Sequence, residues 1–266
     1  MPSSIRPAVA VVPVALREPG DLDALAHCLV ALTTSDPALP TIVAGGANSE
    51  PALLDQVALA ADELGGELVR SPGGVPAAIN AGLRAARDAG ADVLLIGQDV
   101  VPAATGWLDR LRARTDTQGR PAAVVGGRLV HPNGILAEAG LYFSLLLREW
   151  LPRLRYAPAD LPAALTACGC PVGTGLQLIR HETLIEVGLY DEALTLEHAN
   201  VDFCLRALSA GLECIYEPSA VGRRLSPALP VEEPSAAALR ALDRSTRALW
   251  SKHADMDFST WSPVIA

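Results

Sequence analysis

The side chains able to do chemistry fall into a few short clusters of a 266-residue chain. Asp99 closes Gly97-Gln98-Asp99, directly after the apolar segment Asp92 to Ile96. A carboxylate at a strand end either presents a ligand oxygen or caps the following turn. Arg223 and Arg224 are adjacent. Two guanidiniums carry the formal charge of one divalent ion and grip phosphate oxygens through paired N–H bonds. The alternative is a solvated basic pair on a strand edge. Glu197, His198, Asn200 and Asp202 gather near the start of a helix. Histidine suits proton exchange near neutrality. Asn200 also suits a helix N-cap, and Asp202 and Arg206, four apart, suit an ion pair on one helix face.

Other candidates are sparser. Gly45-Gly46 permits close backbone approach by a ligand. Asn48 suits either a base edge or a cap on a helix starting at Pro51. Five cysteines, an odd number, are irregularly spaced. Cys168-Gly169-Cys170 is the one close pair, and without a second pair it is a weak metal signal. Reduced thiols of a cytoplasmic protein are expected.

These groups need elements to position them. Ala8 to Val14 is a Val-rich apolar run, expected as a strand buried on both faces. Helices are expected at Asp21 to Leu32, Pro51 to Leu64 and Val75 to Arg87, and strands at Thr41 to Ala44, Glu67 to Arg70 and Asp92 to Ile96. This alternation predicts a mostly parallel sheet covered by helices, an α/β fold. Ligands of such sheets bind at the carboxyl ends of the strands. That gathers Ala15 to Glu18, Gly45 to Asn48 and Gly97 to Val100 around one crevice.

The second half is less regular. Trp107 to Arg114 reads as a helix. Ala122 to Val130 and Ile135 to Phe143 read as β-rich segments joined by the turn His131-Pro132-Asn133-Gly134. Leu145 to Leu165 lacks a period and reads as a flap. Pro171 to Arg180 is strand-like, Asn200 to Ala210 helical and Glu213 to Tyr216 a strand. Ser226 to Pro234 is a Pro-rich linker. Beyond it, Leu239, Leu242, Thr246, Leu249 and Trp250 form a helical stripe, expected to dock on the body or on a second copy in a homodimer.

Composition excludes some functions. With 21 basic and 30 acidic residues, the net charge is −9 and nucleic-acid binding is not expected. No apolar run reaches the roughly 20 residues that span a bilayer, and no signal peptide is visible.

Four segments in order resemble family 2 glycosyltransferases of the GT-A fold. They are VAVVPVALREPGDLDALAHCLVAL, GGVPAAINAGLRAARDAGADVLLIGQDVVP, VGTGLQLIRHETLIEVGLYDEAL and NVDFCLRALSAGLECIYEPSAV. The second holds Asn80 and Gly82 at the family's N-x-G and Asp99 at the last position of its Asp-x-Asp. The resemblance covers about residues 8 to 226. It implies a GT-A domain over 1–226, with a nucleotide-binding half at 1–100 and an acceptor half at 101–226. Residues 227–266 are then a linker and helical tail.

The implied activity is transfer of a sugar from a nucleotide-sugar donor to an acceptor, with inversion. The alternative is a catalytically inactive relative that binds a nucleotide or a protein. The implied cofactor is Mg²⁺ or Mn²⁺ on the donor diphosphate, held by Asp99. The chain departs from the family at three places. Gly97 replaces the first Asp-x-Asp carboxylate. Arg223 and Arg224 stand where a metal-binding histidine is expected. Ala199-Asn200 replaces the Glu-Asp pair that supplies the base. The arginines are therefore expected to assist or replace the metal, and Glu197, His198 or Asp202 to stand in for the base beside Asn200. Arg17, Glu18, Gly45, Asn80, Gln98, Asp99, Arg223 and Arg224 are expected around the donor, with Arg70 a further candidate.

Overall fold

The computed structural model describes residues 6–63, 66–103, 105–115, 121–226 and 235–262. Strands and helices alternate through the first hundred residues: β1 (Ala8–Val14), α1 (Pro19–Ser35), β2 (Thr41–Gly45), α2 (Pro51–Glu63), β3 (Gly66–Arg70), α3 (Val75–Asp88) and β4 (Asp92–Ile96). Then follow β5 (Val100–Pro102), α4 (Trp107–Ala113), β6 (Ala122–Val130), β7 (Leu136–Glu138), β8 (Leu141–Ser144), β9 (Glu149–Pro152) and β10 (Cys168–Gly169). The chain continues through β11 (Leu176–Ile179), α5 (His181–Glu186), α6 (Leu196–Ser209), β12 (Glu213–Arg224) and α7 (Ala236–Lys252).

The main sheet runs β10-β12-β6-β11-β4-β1-β2-β3, with β5 on β12 and β7 on β6. β1 pairs parallel with β2 and β4, and β2 with β3. β11 lies antiparallel between β4 and β6, so β6 and its parallel partner β12 point the same way as β4. Their carboxyl ends therefore open on one side.

Successive strand residues face opposite sides, which explains the continuous apolar run of β1. Ala10, Val12 and Val14 pack with Leu25, Cys28 and Leu29 of α1, Leu54 and Val57 of α2, and Trp107 and Leu111 of α4. Val9 and Val11 pack on the other side with Ile79 and Leu83 of α3, Leu184 of α5 and Phe203 of α6. Helices thus cover both faces.

Three expectations are corrected. Ile135 to Phe143 is two strands, broken at Gly140, whose φ of 81° is left-handed and suits glycine. The segment expected as a flap contains β9, which forms a hairpin with β8 in register Leu141 to Pro152. The tail helix buries Ser245 and Leu249, whereas Leu239 and Leu242 are exposed. Of the expected stripe, Leu249 and Trp250 dock on the body, and aromatic packing takes the place of Leu239 and Leu242. Trp250 and Phe258 contact Phe143 at ring distances of 5.4 and 5.0 Å, and Trp261 contacts Trp150 at 5.7 Å. Apart from Ser226, the expected linker lies outside the described residues.

A buried charge cluster adds to this docking. Asp202 on α6 is fully buried and accepts from Arg206 Nε at 2.8 Å, His253 Nε2 at 2.9 Å and Lys252 Nζ at 2.8 Å. Burial alone would raise its pKa. The bonds from His253, Lys252 and Arg206 outweigh that and hold it at about 2. The folded value lies below the unfolded one, so this stabilisation is present above pH ~4 and is lost as pH falls toward 2. Asp202→Asn is expected to cost about 3 kcal/mol at pH 7, because the buried end of the cluster, His253 and the half-buried Arg206, loses its counter-charge while Lys252 can turn to water. Urea denaturation measures it, and an unchanged midpoint would show the cluster to be energetically idle.

Candidate functional site

The loops after β1, β2 and β4 are tied together at the open side of the sheet. Gln98 Oε1 accepts the N–H of Ala15 at 2.9 Å, and its Nε2 reaches Asp21 Oδ1 at 3.4 Å. Ser49 Oγ accepts from Leu16 N at 3.0 Å and donates to Val14 O at 3.2 Å. The expected juxtaposition of Gly97 to Val100 with the first strand ends is present.

Within this crevice the expected donor residues do different things. Glu18 precedes α1, where the Asp21 carboxylate accepts the N–H groups of Arg17 and Glu18 at 2.7 and 3.1 Å. The Arg17 and Glu18 side chains are exposed at the rim. Gly45 is buried, and a Cβ there would lie 2.6 Å from Leu54; one on Gly46 would lie 2.9 Å from Gly73 O. The two glycines admit neighbouring chain rather than an open approach. Asn48 is exposed. Arg70 pairs with Asp55 at 2.6 Å on the surface. Asn80 is a buried clamp: Nδ2 donates to Tyr190 O at 2.9 Å and Glu192 Oε1 at 2.8 Å, and Oδ1 accepts Tyr190 N at 2.9 Å.

Asp99 and Arg224 form the centre of the site. Arg224 Nη1 lies 2.8 and 2.9 Å from the two Asp99 oxygens, and Ser226 Oγ donates to Oδ2 at 2.8 Å. The pair joins the end of β4 to the end of β12. Arg223, one residue earlier on the strand, is exposed and faces away, so the two arginines do not act on one phosphate.

A hard divalent cation wants several free oxygen ligands. Both Asp99 oxygens are engaged by a guanidinium. Among the described residues, no three His, Cys, Asp or Glu side chains converge as a cation site. The groups present do not fit the metal that the family resemblance implies.

A cavity of about 660 Å³ opens beside Arg224, walled by Leu141, Trp150, Leu151 and Tyr156 and reached by Glu138, Arg155, Glu197, His198 and Asn200. Here α6 begins at Leu196, so Asn200 lies inside the helix and not at its cap. Asn200 is sealed in: Nδ2 donates to Val172 O at 2.6 Å, and Oδ1 accepts from Gln177 at 3.1 Å and Tyr190 OH at 2.9 Å. His198 is 2% exposed and is held between Ser245 Oγ at 2.8 Å and Glu149 Oε1 at 2.9 Å. Glu197 is exposed at the rim, and Asp202 belongs to the tail cluster.

The group not anticipated from the sequence is Glu138. It ends β7, is 9% exposed, and accepts the N–H of Gly173 at 2.9 Å. Gly173 is required there, since a Cβ on it would lie 2.1 Å from Glu138 Oε2. Burial raises the Glu138 carboxyl to about 7, against the opposing pull of Arg224, the Gly173 N–H and Arg155. A carboxyl poised near neutrality is suited to take a proton. The available signal was weak: one acidic residue in an otherwise apolar strand, Leu136-Ala137-Glu138.

No family model matches the chain, and no curated protein matches it. Solved structures do. The chain is similar to GalNAc-T7, solved with UDP, GalNAc and Mn²⁺, at 15% identity and a TM-score of 0.65 over 94% of this chain and 49% of that one. It is similar to the mannosyltransferase PcManGT from Pyrobaculum calidifontis, in complex with GDP-Man and Mn²⁺, at 14% identity and 0.54 over 96% and 77%. It is also similar to glucosyl-3-phosphoglycerate synthase from Mycobacterium tuberculosis, in complex with Mg²⁺ and UDP, at 16% identity and 0.54 over 95% and 81%. The chain spans about half the length of GalNAc-T7. The architecture is the GT-A fold, and no helix among the described residues is long and apolar enough to cross a membrane.

Proposed function

We propose that this GT-A chain transfers a sugar from a nucleotide-sugar donor to an acceptor hydroxyl, with inversion, in the manner of family 2 and without a resident metal. The observation that carries the reading is one cavity lined by both Arg224 and Glu138. Arg224 keeps donors beyond the Nη1 that Asp99 engages, and these meet the charge developing on the diphosphate. Asp99 fixes the guanidinium from behind, so little reorganisation accompanies the reaction. Glu138 takes the acceptor proton as the acceptor oxygen bonds to the sugar's anomeric carbon. The bond from that carbon to the diphosphate breaks on the opposite side. The aromatic and apolar wall of Leu141, Trp150, Leu151 and Tyr156 receives the acceptor. The five free cysteines are consistent with a cytoplasmic setting.

A second reading, an inactive nucleotide- or protein-binding module, is favoured by Asn200, whose hydrogen bonds are internal at the place where the family's base is expected. A thermal-shift panel of UDP- and GDP-sugars, each with EDTA and with Mn²⁺, separates the two. A donor that raises the melting temperature equally in both supports metal-free binding. Product detected by mass spectrometry with that donor and an alcohol acceptor supports transfer. A shift without product supports the inactive nucleotide-binding module. A shift requiring Mn²⁺ overturns the metal-free reading, and no shift with any donor overturns donor binding.

A further inference from the structure

Cys168-Gly169-Cys170 has no part in the proposed transfer, yet it is built as a chemical site. Strand β10 lies on the sheet edge, with Cys168 opposite Tyr216 and Gly169 opposite Ile215. The two Sγ atoms are 3.7 Å apart. Arg153 follows β9 and places Nη1 2.6 Å from Cys168 Sγ, while the same nitrogen donates to Ala139 O at 3.2 Å. Cys168 is half-buried on a cavity of about 490 Å³, with Tyr142, Arg153, Leu154 and Trp261 around it. Cys170 is 5% exposed and packs beneath Gly140, while Cys28, Cys204 and Cys214 are at most 1% exposed. One thiol of the five is therefore accessible, beside a cation, with a second thiol behind it.

We propose that Cys168 and Cys170 form a reactive dithiol that undergoes exchange with small disulfides entering through the Arg153 cavity. Cys168 is the attacking group and Cys170 the resolving one. The Cys168 thiolate attacks one sulfur of the small disulfide, forms a mixed disulfide and expels one thiolate. Cys170 then attacks Cys168 Sγ, the Cys168–Cys170 bond forms, and the second small thiol leaves with the Cys170 proton. Two protein thiols are oxidised and one small disulfide is reduced to two thiols. Closure draws the sulfurs from 3.7 Å to about 2.05 Å. The residue between the two thiols is uncrowded: even a Cβ on Gly169 would meet nothing nearer than Cys214 O at 4.0 Å.

The electrostatics assign the order. The hydrogen bond from Cys170 lowers the Cys168 thiol, burial opposes this, and Arg153 lowers it further, to about 7 against an ordinary 9.0. The hydrogen bond to Cys168 and burial both push Cys170 up. The titratable and charged groups facing the pair are Arg153, Tyr142 on β8, and Tyr216 and the buried Cys214 on β12. The thiolate, not the thiol, is the nucleophile.

The test uses the folded full chain, an aromatic disulfide reagent and intact mass. The wild type is expected to release two equivalents of aromatic thiolate, keep no adduct and lose two hydrogens. Its rate is expected to rise with pH around 7. Cys170→Ser is expected to stop at one adduct. Cys168→Ser is expected to react at least about tenfold more slowly, since only buried thiols are left. Adducts on the wild type that do not resolve, an unchanged rate in Cys168→Ser, or thiols reacting only in urea would each overturn the proposal. None of these readouts involves a sugar donor, so failure here leaves the transferase reading standing, and the reverse.

Discussion

Glu138→Gln is expected to lower kcat by about 10²- to 10⁴-fold while leaving donor affinity nearly unchanged, the loss typical of a removed general base. The substitution keeps the shape and an acceptor oxygen for the Gly173 N–H, so the cavity survives. Two further readouts separate this from simple damage. Activity of the wild type rises as pH passes through about 7, where Glu138 loses its proton, and the variant lacks that limb. Stability moves the other way. The folded carboxyl titrates at about 7 and the unfolded one near 4.5, so the folded state is penalised as pH rises between them. Above pH 7 the amide escapes this penalty, and the variant is expected to melt higher than the wild type at pH 8 and no higher at pH 4. A variant both inactive and less stable at pH 8 would show Glu138 to be a structural group.

Arg224→Ala is expected to weaken nucleoside-diphosphate binding about 10- to 150-fold, the range for losing one charged hydrogen bond of roughly 1.5 to 3 kcal/mol. EDTA is expected to change wild-type affinity little, since Asp99 is held by a guanidinium at 2.8 and 2.9 Å. The variant adds a second test. With its arginine gone, Asp99 keeps only the Ser226 hydroxyl as a partner, and Mn²⁺ is then expected to restore part of the affinity. Titration calorimetry with UDP and GDP, with each additive, reads all of this. Wild-type affinity that collapses in EDTA would restore an ordinary metal site, and an unchanged affinity in Arg224→Ala would remove the arginine from the donor.

Much of the fold was legible because its first half repeats one physical pattern. An apolar run such as Ala8 to Val14 admits a two-sided strand, and the amphipathic helices that follow leave few other arrangements. The second half was less legible because its strands are short or held by distant partners. Glu149 to Pro152 becomes a strand through pairing with Leu141 to Ser144, a preference its own composition does not carry. At the site, motif spacing located Asp99 and Arg224 but not their contact, which spans the chain from β4 to the end of β12. The alternation that turns Arg223 away was written in the sequence. It went unread because β12 was expected to stop at Tyr216, whereas it runs to Arg224. Glu138 was hidden because its chemistry comes from burial, which no local spacing encodes.

The place of β11 has a consequence for how the chain is made. β4 ends at Ile96, and the strand that covers its open side ends at Ile179, about eighty residues later. Synthesis at about 5 to 20 residues per second leaves that edge without its partner for several seconds. The nascent first half then presents Val93 to Ile96, wholly apolar, as a strand paired with β1 on one side and open on the other. Residues 1–100, expressed alone, should therefore need a chaperone to stay soluble, and a ribosome stalled once Ile96 has cleared the exit tunnel, but before Ile179 has, should recruit one. A pause late enough for Leu176 to Ile179 to have left the tunnel should not.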